Sequence, residues 1–169
     1  MILVDAVHEN QHIVYGGQPH RIREEARWRA VAQDGAQKPH DPPLDRLPES
    51  AQTIIRWAAS QLDLRTSQSA EIDWSPEEWA RMYACRQSVN ATLGDLPPIV
   101  LARTTSNYRT GMRKTPESLE PERRDLQADL AKLSRKGTIT FTKNAGHNLH
   151  VEGPELVIQA VQQMVWMVR

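Results

Sequence analysis

The sequence carries no net charge, and this absence argues against one large class of function. Lys and Arg together number 21, as do Asp and Glu, so the formal net charge at pH 7 is zero with histidine neutral. Proteins that bind nucleic acid usually present a basic stripe. The arginines here mostly alternate with acidic residues, as in 21–29 and 117–132, which is typical of solvated helix faces. We therefore expect no nucleic-acid partner.

The sequence also lacks a second cysteine and a long apolar run. Cys85 stands alone, which excludes an internal disulfide framework and a multi-thiolate metal site, and it fits a reducing compartment. The apolar start, Met1 to Val4, has no basic residues and meets Asp5 at once, so it predicts neither a signal peptide nor a membrane span. We expect a cytoplasmic protein without a membrane partner, and nothing in the sequence calls for a cofactor.

What the sequence does contain is an alternation of short strands and helices. Its 169 residues have the length of one domain. Short apolar or β-branched runs predict strands at 2–4, 99–102 and 138–142, and helical spacing predicts helices at 21–33, 49–60, 76–92, 120–133 and 154–168. Ser75 and Glu78 form a capping box at the start of the third helix. This order predicts parallel strands joined by right-handed crossovers.

Three segments follow from this pattern. Residues 1–17 give the first core strand and its loop, and residues 71–169 give a C-terminal α/β core. Residues 18–70 predict a helical cap insertion, because Pro19 opens a charged helical stretch and a proline-rich linker at 38–43 precedes a second helix, with no strand between them. Together they predict one α/β domain of three parallel strands, flanking helices and an inserted cap. A first strand without a neighbour would leave an apolar edge, which soluble proteins avoid.

His147 is the candidate catalytic residue. It follows a predicted strand through Ala145 and Gly146, and chemistry in open α/β sheets gathers at the carboxyl ends of strands. Histidine titrates near neutrality and can act as a general base, although a loop histidine without a task fits the same pattern. A metal site built from His147 and His150 would lack further ligands, so we expect no metal.

Several stretches resemble parts of the α/β-hydrolase fold, in the order and spacing of that family. The C-terminal segment Gly146-His147, Leu149-His150, Pro154-Glu155 and Val157-Ile158 resembles its catalytic-histidine motif. The stretch 3–9 is similar to its sixth strand, the stretch 97–101 to its seventh, and the stretch 126–134 to the helix before its eighth. The resemblance covers essentially the whole chain, with residues 18–70 as the variable cap.

The resemblance implies a catalytic triad in which His147 is the base. The family's acid usually follows the seventh strand, but the stretch after Leu101 has no carboxylate before Glu117. Some members, of the haloalkane-dehalogenase type, place the acid after the sixth strand, which corresponds to Asp5. Asp5 is therefore the predicted acid, with Glu117, Glu120 and Glu9 as alternatives. A strand-end aspartate that caps the next turn is the competing structural interpretation of Asp5.

The chain departs from the family in one respect that bears on function. No glycine pair frames a serine, cysteine or aspartate as in the Gly-x-Ser-x-Gly nucleophile elbow. The first five strands and the oxyanion loop also have no counterpart. We therefore expect the C-terminal part of a hydrolase that is inactive by itself and is completed by a missing N-terminal half.

The expected substrate is a small ester-like molecule, and weak candidates for its pocket are aromatic residues, namely Tyr15, Trp28, Trp57 and Tyr108. One alternative is half of a dehalogenase or epoxide hydrolase, in which an aspartate is the nucleophile. Another is a noncatalytic remnant that acts in binding, or in self-association through the exposed strand edge.

Overall fold

The computed structural model describes residues 1–15, 18–24, 43–61, 75–88, 92–104, 117–143 and 145–169. The strands in these ranges are β1 (Ile2–Val4), β2 (His12–Tyr15), β3 (Gln18–Arg21), β4 (Ile99–Ala102) and β5 (Thr138–Phe141). The helices are α1 (Glu49–Ser60), α2 (Pro76–Ser88), α3 (Glu120–Ala131), α4 (Leu149–Glu152) and α5 (Pro154–Met167). Short 3-10 turns lie at Ile22–Glu24, Leu44–Arg46 and Glu117–Leu119.

The central element is a three-stranded parallel sheet in the order β1-β4-β5. Ile2 pairs with Ile99 in β4, and Ile99 pairs on its other side with Thr138. The middle strand β4 is almost fully buried, as its continuous apolar sequence predicts. The sequence-based prediction of an α/β protein with three parallel strands flanked by helices is therefore confirmed.

Helices cover both faces of this sheet. On one face Ile99 and Leu101 pack with Leu149 and with the inner side of α5 around Ala160. On the other face Val100 packs with the end of α3, around Leu130 and Ala131. This division follows from the alternation of side chains along a strand, which sends Val100 to the opposite face from its two neighbours.

The segment 18–21 corrects the prediction of a purely helical insertion. It forms β3, which pairs antiparallel with β2 from His12↔Arg21 to Tyr15↔Gln18, so Pro19 lies in a strand instead of opening a helix. The signal that sequence reading passed over is Gly16-Gly17 between the two runs, a pattern typical of hairpins. The remainder of the predicted 21–33 helix lies mostly outside the described residues, whereas α1 has the predicted bounds.

The helices of the C-terminal part begin close to where the sequence predicts. The capping box is present: the Ser75 amide donates to Glu78 Oε2 at 2.7 Å, and the Glu78 amide donates to Ser75 Oγ at 3.2 Å. The short helix α4 was not predicted, because four residues leave little periodic signal. Among the described residues, each helix is too short or too polar to cross a lipid bilayer.

The charge alternation in 117–132 gave a wrong prediction for one position of α3. Arg123 belongs to the charge alternation that predicted a solvated face, but it is 3% exposed, and Gln127, about one turn further along the helix, is 1% exposed. Gln127 Nε2 donates to the carbonyl oxygen of Ala6 at 2.7 Å, two residues after the end of β1. A polar side chain can be buried where it satisfies backbone groups, and here α3 uses polar residues to hold the carboxyl end of β1.

Candidate functional site

The structure brings Asp5 and His147 into contact. His147 Nδ1 lies 2.8 Å from Asp5 Oδ2, although the two residues are 142 positions apart in the chain. The Asp5 side chain is 6% exposed, while that of His147 is 45% exposed. The carboxylate is therefore held inside the protein, and the imidazole reaches the surface where a small molecule can approach it.

Asp5 owes its position to the end of β1. Its amide donates to the carbonyl oxygen of Leu101 at 2.7 Å, which extends the β1–β4 ladder by one residue. At this point the backbone turns sharply, since Asp5 has a φ of 42°. Positive φ is uncommon for residues other than glycine, and aspartate is among those that tolerate it best. Such strained residues cluster at functional sites, where the surrounding structure maintains them.

The loop that carries His147 is fixed on both sides of the histidine. Before it, Thr142 Oγ1 donates to the carbonyl oxygen of Ala145 at 3.2 Å. The amide of Gly146 donates to Glu152 Oε2 at 2.6 Å, which ties the loop to α4. After it, Leu149 is fully buried in the core. The imidazole therefore projects from a loop whose backbone is held in place on both sides by hydrogen bonds and core packing.

Two arginines accompany the Asp5 carboxylate. Arg103 Nη1 donates to the same Oδ2 atom that faces His147, at 3.3 Å. Arg123 Nη1 lies 3.9 Å from Oδ1, and Arg123 Nη2 donates to the carbonyl oxygen of Arg103 at 2.8 Å. All three residues are less than 9% exposed. A buried carboxylate needs compensating charge and hydrogen bonds, and these guanidinium groups supply both.

This arrangement suits proton transfer at the imidazole. In the tautomer in which Nδ1–H donates to Asp5, the Nε2 atom of the neutral ring carries the lone pair and can accept a proton. The carboxylate then stabilises the imidazolium that forms and fixes the orientation of the ring. Arg103 donates to the same Oδ2 atom, and its positive charge weakens the electrostatic interaction between the carboxylate and the histidine.

The alternative acids occupy other positions. Glu117 is exposed at the start of a 3-10 turn. Glu120 Oε2 accepts from Arg123 Nε at 2.9 Å. Glu9 is 3% exposed and forms an ion pair with Arg86, Oε1 to Nε, at 2.6 Å. Asp5 is thus the candidate acid that the structure places against Nδ1 of His147.

The predicted aromatic pocket falls mostly on residues whose side chains lie outside the described part of the chain. Trp57 is 59% exposed on α1, none of whose side chains is buried. Tyr15 ends β2, and its side chain lies outside the description, as do Trp28 and Tyr108 entirely. In the described parts of the chain, no three or more His, Cys, Asp or Glu residues are grouped as they would be around a metal ion.

A second polar cluster, which is buried at His8 and Glu9, lies in the segment after β1, and sequence reasoning missed it. It joins His8 and Glu9 to Arg86 of α2 and Asp129 of α3. His8 Nδ1 accepts from the Asn10 amide at 2.9 Å, and His8 Nε2 lies 3.3 Å from Asp129 Oδ2. Arg86 Nη2 contacts both His8 and Asp129. The cluster fastens both helices to the segment after β1.

The charges in this cluster shift two pKa values downward. Burial, which is the largest effect, and the positive charge of Arg86 lower the pKa of His8, although Glu9 and Asp129 act in the opposite direction. Burial raises the pKa of Asp129, but the hydrogen bond from His8 and the charge of Arg86 outweigh it and lower that pKa. The cluster is therefore adapted to a neutral His8 and an ionised Asp129.

A sequence signal was available for one of the missed residues at the site. Arg103 directly follows the buried strand β4, and the carboxyl ends of parallel strands are where sites form. Arg123 and Glu152 gave no such signal, because their spacing along a helix is that of ordinary surface charges. Their roles depend on which helix face packs against the sheet.

Comparison of the chain with protein-family models, with curated proteins and with solved structures finds no match.

Proposed function

We propose that Asp5 and His147 are the orienting acid and the general base of an α/β-hydrolase-type site that acts on a small ester-like substrate. The observation that carries this proposal is the 2.8 Å contact between His147 Nδ1 and Asp5 Oδ2. A buried carboxylate, a partly exposed imidazole and a position at the carboxyl end of a parallel sheet are the elements of a base that serves a nucleophile.

The proposed mechanism assigns each proton to an atom. The nucleophile's proton passes to His147 Nε2 as the nucleophile attacks the substrate carbonyl, and Asp5 stabilises the imidazolium. The imidazolium then protonates the leaving group, and the neutral ring activates a water molecule that releases the product. If the nucleophile is an aspartate, as in dehalogenases and epoxide hydrolases, His147 acts only in the water step.

The nucleophile is proposed to come from polypeptide outside this sequence, because the sequence contains no nucleophile elbow. The helical and hairpin segments within 18–70 are proposed as the cap over the substrate. In support of a cap, α1 exposes Ile54 and Trp57, which are 64% and 59% exposed and could cover an apolar substrate group.

This proposal is tested with the chain alone and then with a nucleophile supplied. The chain alone is expected to show no labelling by a fluorophosphonate probe and no turnover of p-nitrophenyl esters. A longer version of the protein that includes a Gly-x-Ser-x-Gly segment is expected to show both. In that version His147→Ala should lower turnover by about 10³-fold or more, and exposed His150→Ala should leave it unchanged. Labelling of the chain alone, or full turnover by the His147→Ala variant, would refute the proposal.

A second candidate function is a noncatalytic one, and the two arginines at Asp5 favour it. Because Arg103 shares Oδ2 with His147, the same contacts also describe a buried ion cluster that closes the carboxyl end of the sheet. In that case the Asp5→Asn substitution would destabilise the fold, and no supplied nucleophile would produce His147-dependent turnover. The two candidates are separated by that turnover measurement.

A further inference from the structure

Helix α5 carries an exposed apolar face in addition to the face that it buries. The buried side of the helix packs on β1 and β4 through Leu156, Val157, Ala160 and Met164. The second face consists of four aliphatic residues that are 41–68% exposed, namely Ile158, Val161 and Val165 of the helix and Val168 directly after its end. We call these four residues the α5 stripe.

The spacing and the charge of the α5 stripe are those of a helix–helix contact. Its members follow one another at intervals of three, four and three residues, which is the a/d spacing of a helical seam. The range 156–168 contains no charged residue, and its polar positions are all glutamine. A solvated helix face normally carries charges that discourage association, and here such charges are missing.

The α5 stripe lies toward the β1 side of the sheet. Met164 borders the stripe on the buried side, and its Sδ lies 3.4 Å from the amino nitrogen of Met1. On the opposite flank, the same sheet face ends in Thr138 and Thr140 of β5, which are exposed and polar. The apolar part of this sheet face therefore lies on its β1 side.

The outer edge of β1 is the second feature of this region. Ile99 donates to the carbonyl oxygen of Met1, and Asp5 donates to that of Leu101. Because peptide groups alternate along a strand, the amides of Ile2 and Val4 point away from β4. Within the described ranges β1 pairs with β4 alone. An edge of this kind is a template for pairing with another chain.

We propose that the α5 stripe and the outer edge of β1 form one interface with a second copy of this chain. A two-fold axis perpendicular to the sheet pairs β1 with its own copy in antiparallel fashion, which gives a continuous six-stranded sheet from two three-stranded ones. This operation leaves both α5 helices on the same face of that sheet. One symmetric interface thus covers the strand edge and the stripe together.

The spacing of the elements supports this geometry. Helix α5 contacts both β1 and β4, so its axis lies above the gap between these strands. With strands about 4.8 Å apart, that axis is about 5 Å from the two-fold axis. The two α5 helices are then about 10 Å apart, within the range at which packed helices lie. The stripes meet without any displacement of the helices from the sheet.

Charge and area also favour a second copy over a different partner. An uncharged stripe is complementary to itself, whereas a charged surface would find no counter-charge on it. The exposed parts of the α5 stripe and of Met1, which is 51% exposed, amount to roughly 500 Å² of apolar surface. A standard interface buries about 800 Å² per partner, so the patch has the right order of size.

The test is the molar mass of the intact chain in solution, measured by light scattering after size exclusion over a range of concentrations. The chain is expected to be a dimer, and Val165→Glu is expected to be a monomer because it places a charge in the stripe. Gln163→Glu is the matched control, since it adds the same charge to an exposed position of α5 outside the stripe, and it should remain a dimer. Circular dichroism checks that each variant is folded.

Every outcome of this measurement bears on the proposal. If Val165→Glu fails to fold, Val161→Lys repeats the test at a second exposed position of the stripe. A chain that stays monomeric at 100 µM (a concentration of about that order suffices for interfaces of this size) overturns the proposal and leaves the surface to a different polypeptide. Equal dissociation of the stripe variants and the control also overturns it. The inference does not depend on a catalytic role for His147, so the turnover experiment can fail without affecting it. A longer version of the protein that pairs a strand of its own with β1 would occupy the same edge, so the molar mass is measured on the chain as given.

Discussion

Arg123 donates through Nη2 to the carbonyl oxygen of Arg103 at 2.8 Å, and its Nη1 lies 3.9 Å from the Asp5 carboxylate. A residue of α3 therefore supports the carboxyl ends of both β1 and β4. The two strands end side by side. Without Arg123, the buried carbonyl oxygen of Arg103 would lose this hydrogen bond, and the buried carboxylate of Asp5 would lose a neighbouring positive charge. The positioning of Asp5 thus depends on a helix that does not itself carry the proposed acid or base.

The first prediction concerns the stability that Arg123 provides. Arg123→Met keeps most of the side-chain volume but removes the guanidinium group, and we expect the free energy of unfolding to fall by about 2–4 kcal/mol. Arg124→Met is the control on the same helix, because Arg124 is exposed and its guanidinium stacks on Phe141 at 4.8 Å. Its loss should cost about 1 kcal/mol or less. Urea denaturation of both variants measures the difference, and equal losses would contradict the role assigned to Arg123.

The second prediction concerns the tautomer of His147. Because Nδ1 lies 2.8 Å from a carboxylate oxygen, its proton should give a downfield hydrogen-bonded signal in the proton NMR spectrum of the intact chain. Asp5→Asn should abolish or move that signal, since an amide is a weaker acceptor. Exposed Asp125→Asn provides the control and should leave the signal in place. A signal that is unaffected by Asp5→Asn would show that the contact does not form in solution.

The same substitution has a consequence for activity once a nucleophile is supplied. Asp5→Asn should lower turnover by about 10⁴-fold, because the imidazole loses both its orientation and the charge that stabilises its protonated form. The measurement is the steady-state rate with a p-nitrophenyl ester, made on the longer version of the protein. A loss of tenfold or less would favour the ion-cluster role of Asp5 over the catalytic one.

An element is predictable from the sequence when the pattern that specifies it lies entirely within its own segment. Ile99–Ala102 and Glu49–Ser60 have the predicted bounds, because a continuous apolar run and a periodic pattern are complete within their own segments. The hairpin at His12–Arg21 was missed, since its strands are only four residues long and Pro19 argued for a helix start. Short elements gain their stability from pairing, and that pairing is not visible in either strand alone.

The candidate site was predictable only in part, for a similar reason. The approach of Asp5 to His147 was expected from a resemblance to a family and from the rule that strand ends share one edge of a sheet. The burial of Arg123 was not predictable from its sequence neighbours, which are charged as on any solvated helix. Its environment is decided by the rotation of α3 on the sheet, a property of tertiary packing.

The third prediction concerns the close approach of Gly137 to the end of α3. A Cβ atom at this position would lie 1.8 Å from the carbonyl oxygen of Ala131, which is backbone and cannot rotate away. Gly137→Ala should therefore destabilise the protein by about 2–3 kcal/mol, as overpacking does. Gly153→Ala is the control, because its nearest neighbour would be at an ordinary 3.7 Å. Thermal denaturation separates the two, and an equal effect would show that α3 ends farther from β5.

The fourth prediction concerns acid and the buried His8 cluster. Burial and Arg86 lower the pKa of His8 from its ordinary 6.5. Below that pH the unfolded chain binds a proton that the folded protein resists, so the free energy of unfolding should fall as the pH drops from 7 to 5. The slope contributed by one such proton is at most about 1.4 kcal/mol per pH unit. Asp129, whose pKa is lowered from 3.8, adds its own loss only at more acidic pH.

The variant that tests this is His8→Asn, which retains an acceptor for the Asn10 amide that donates to His8 Nδ1 at 2.9 Å. Its free energy of unfolding is expected to change less between pH 7 and pH 5 than that of the unaltered chain. The difference between the two slopes should be close to that produced by the uptake of one proton on unfolding. The exposed His150→Asn serves as the control and should keep the original slope. Denaturant unfolding at several pH values gives all three slopes. If His8→Asn loses stability with acid as steeply as the unaltered chain, the buried histidine does not set the acid sensitivity, and the carboxylates around Asp5 become the groups to examine.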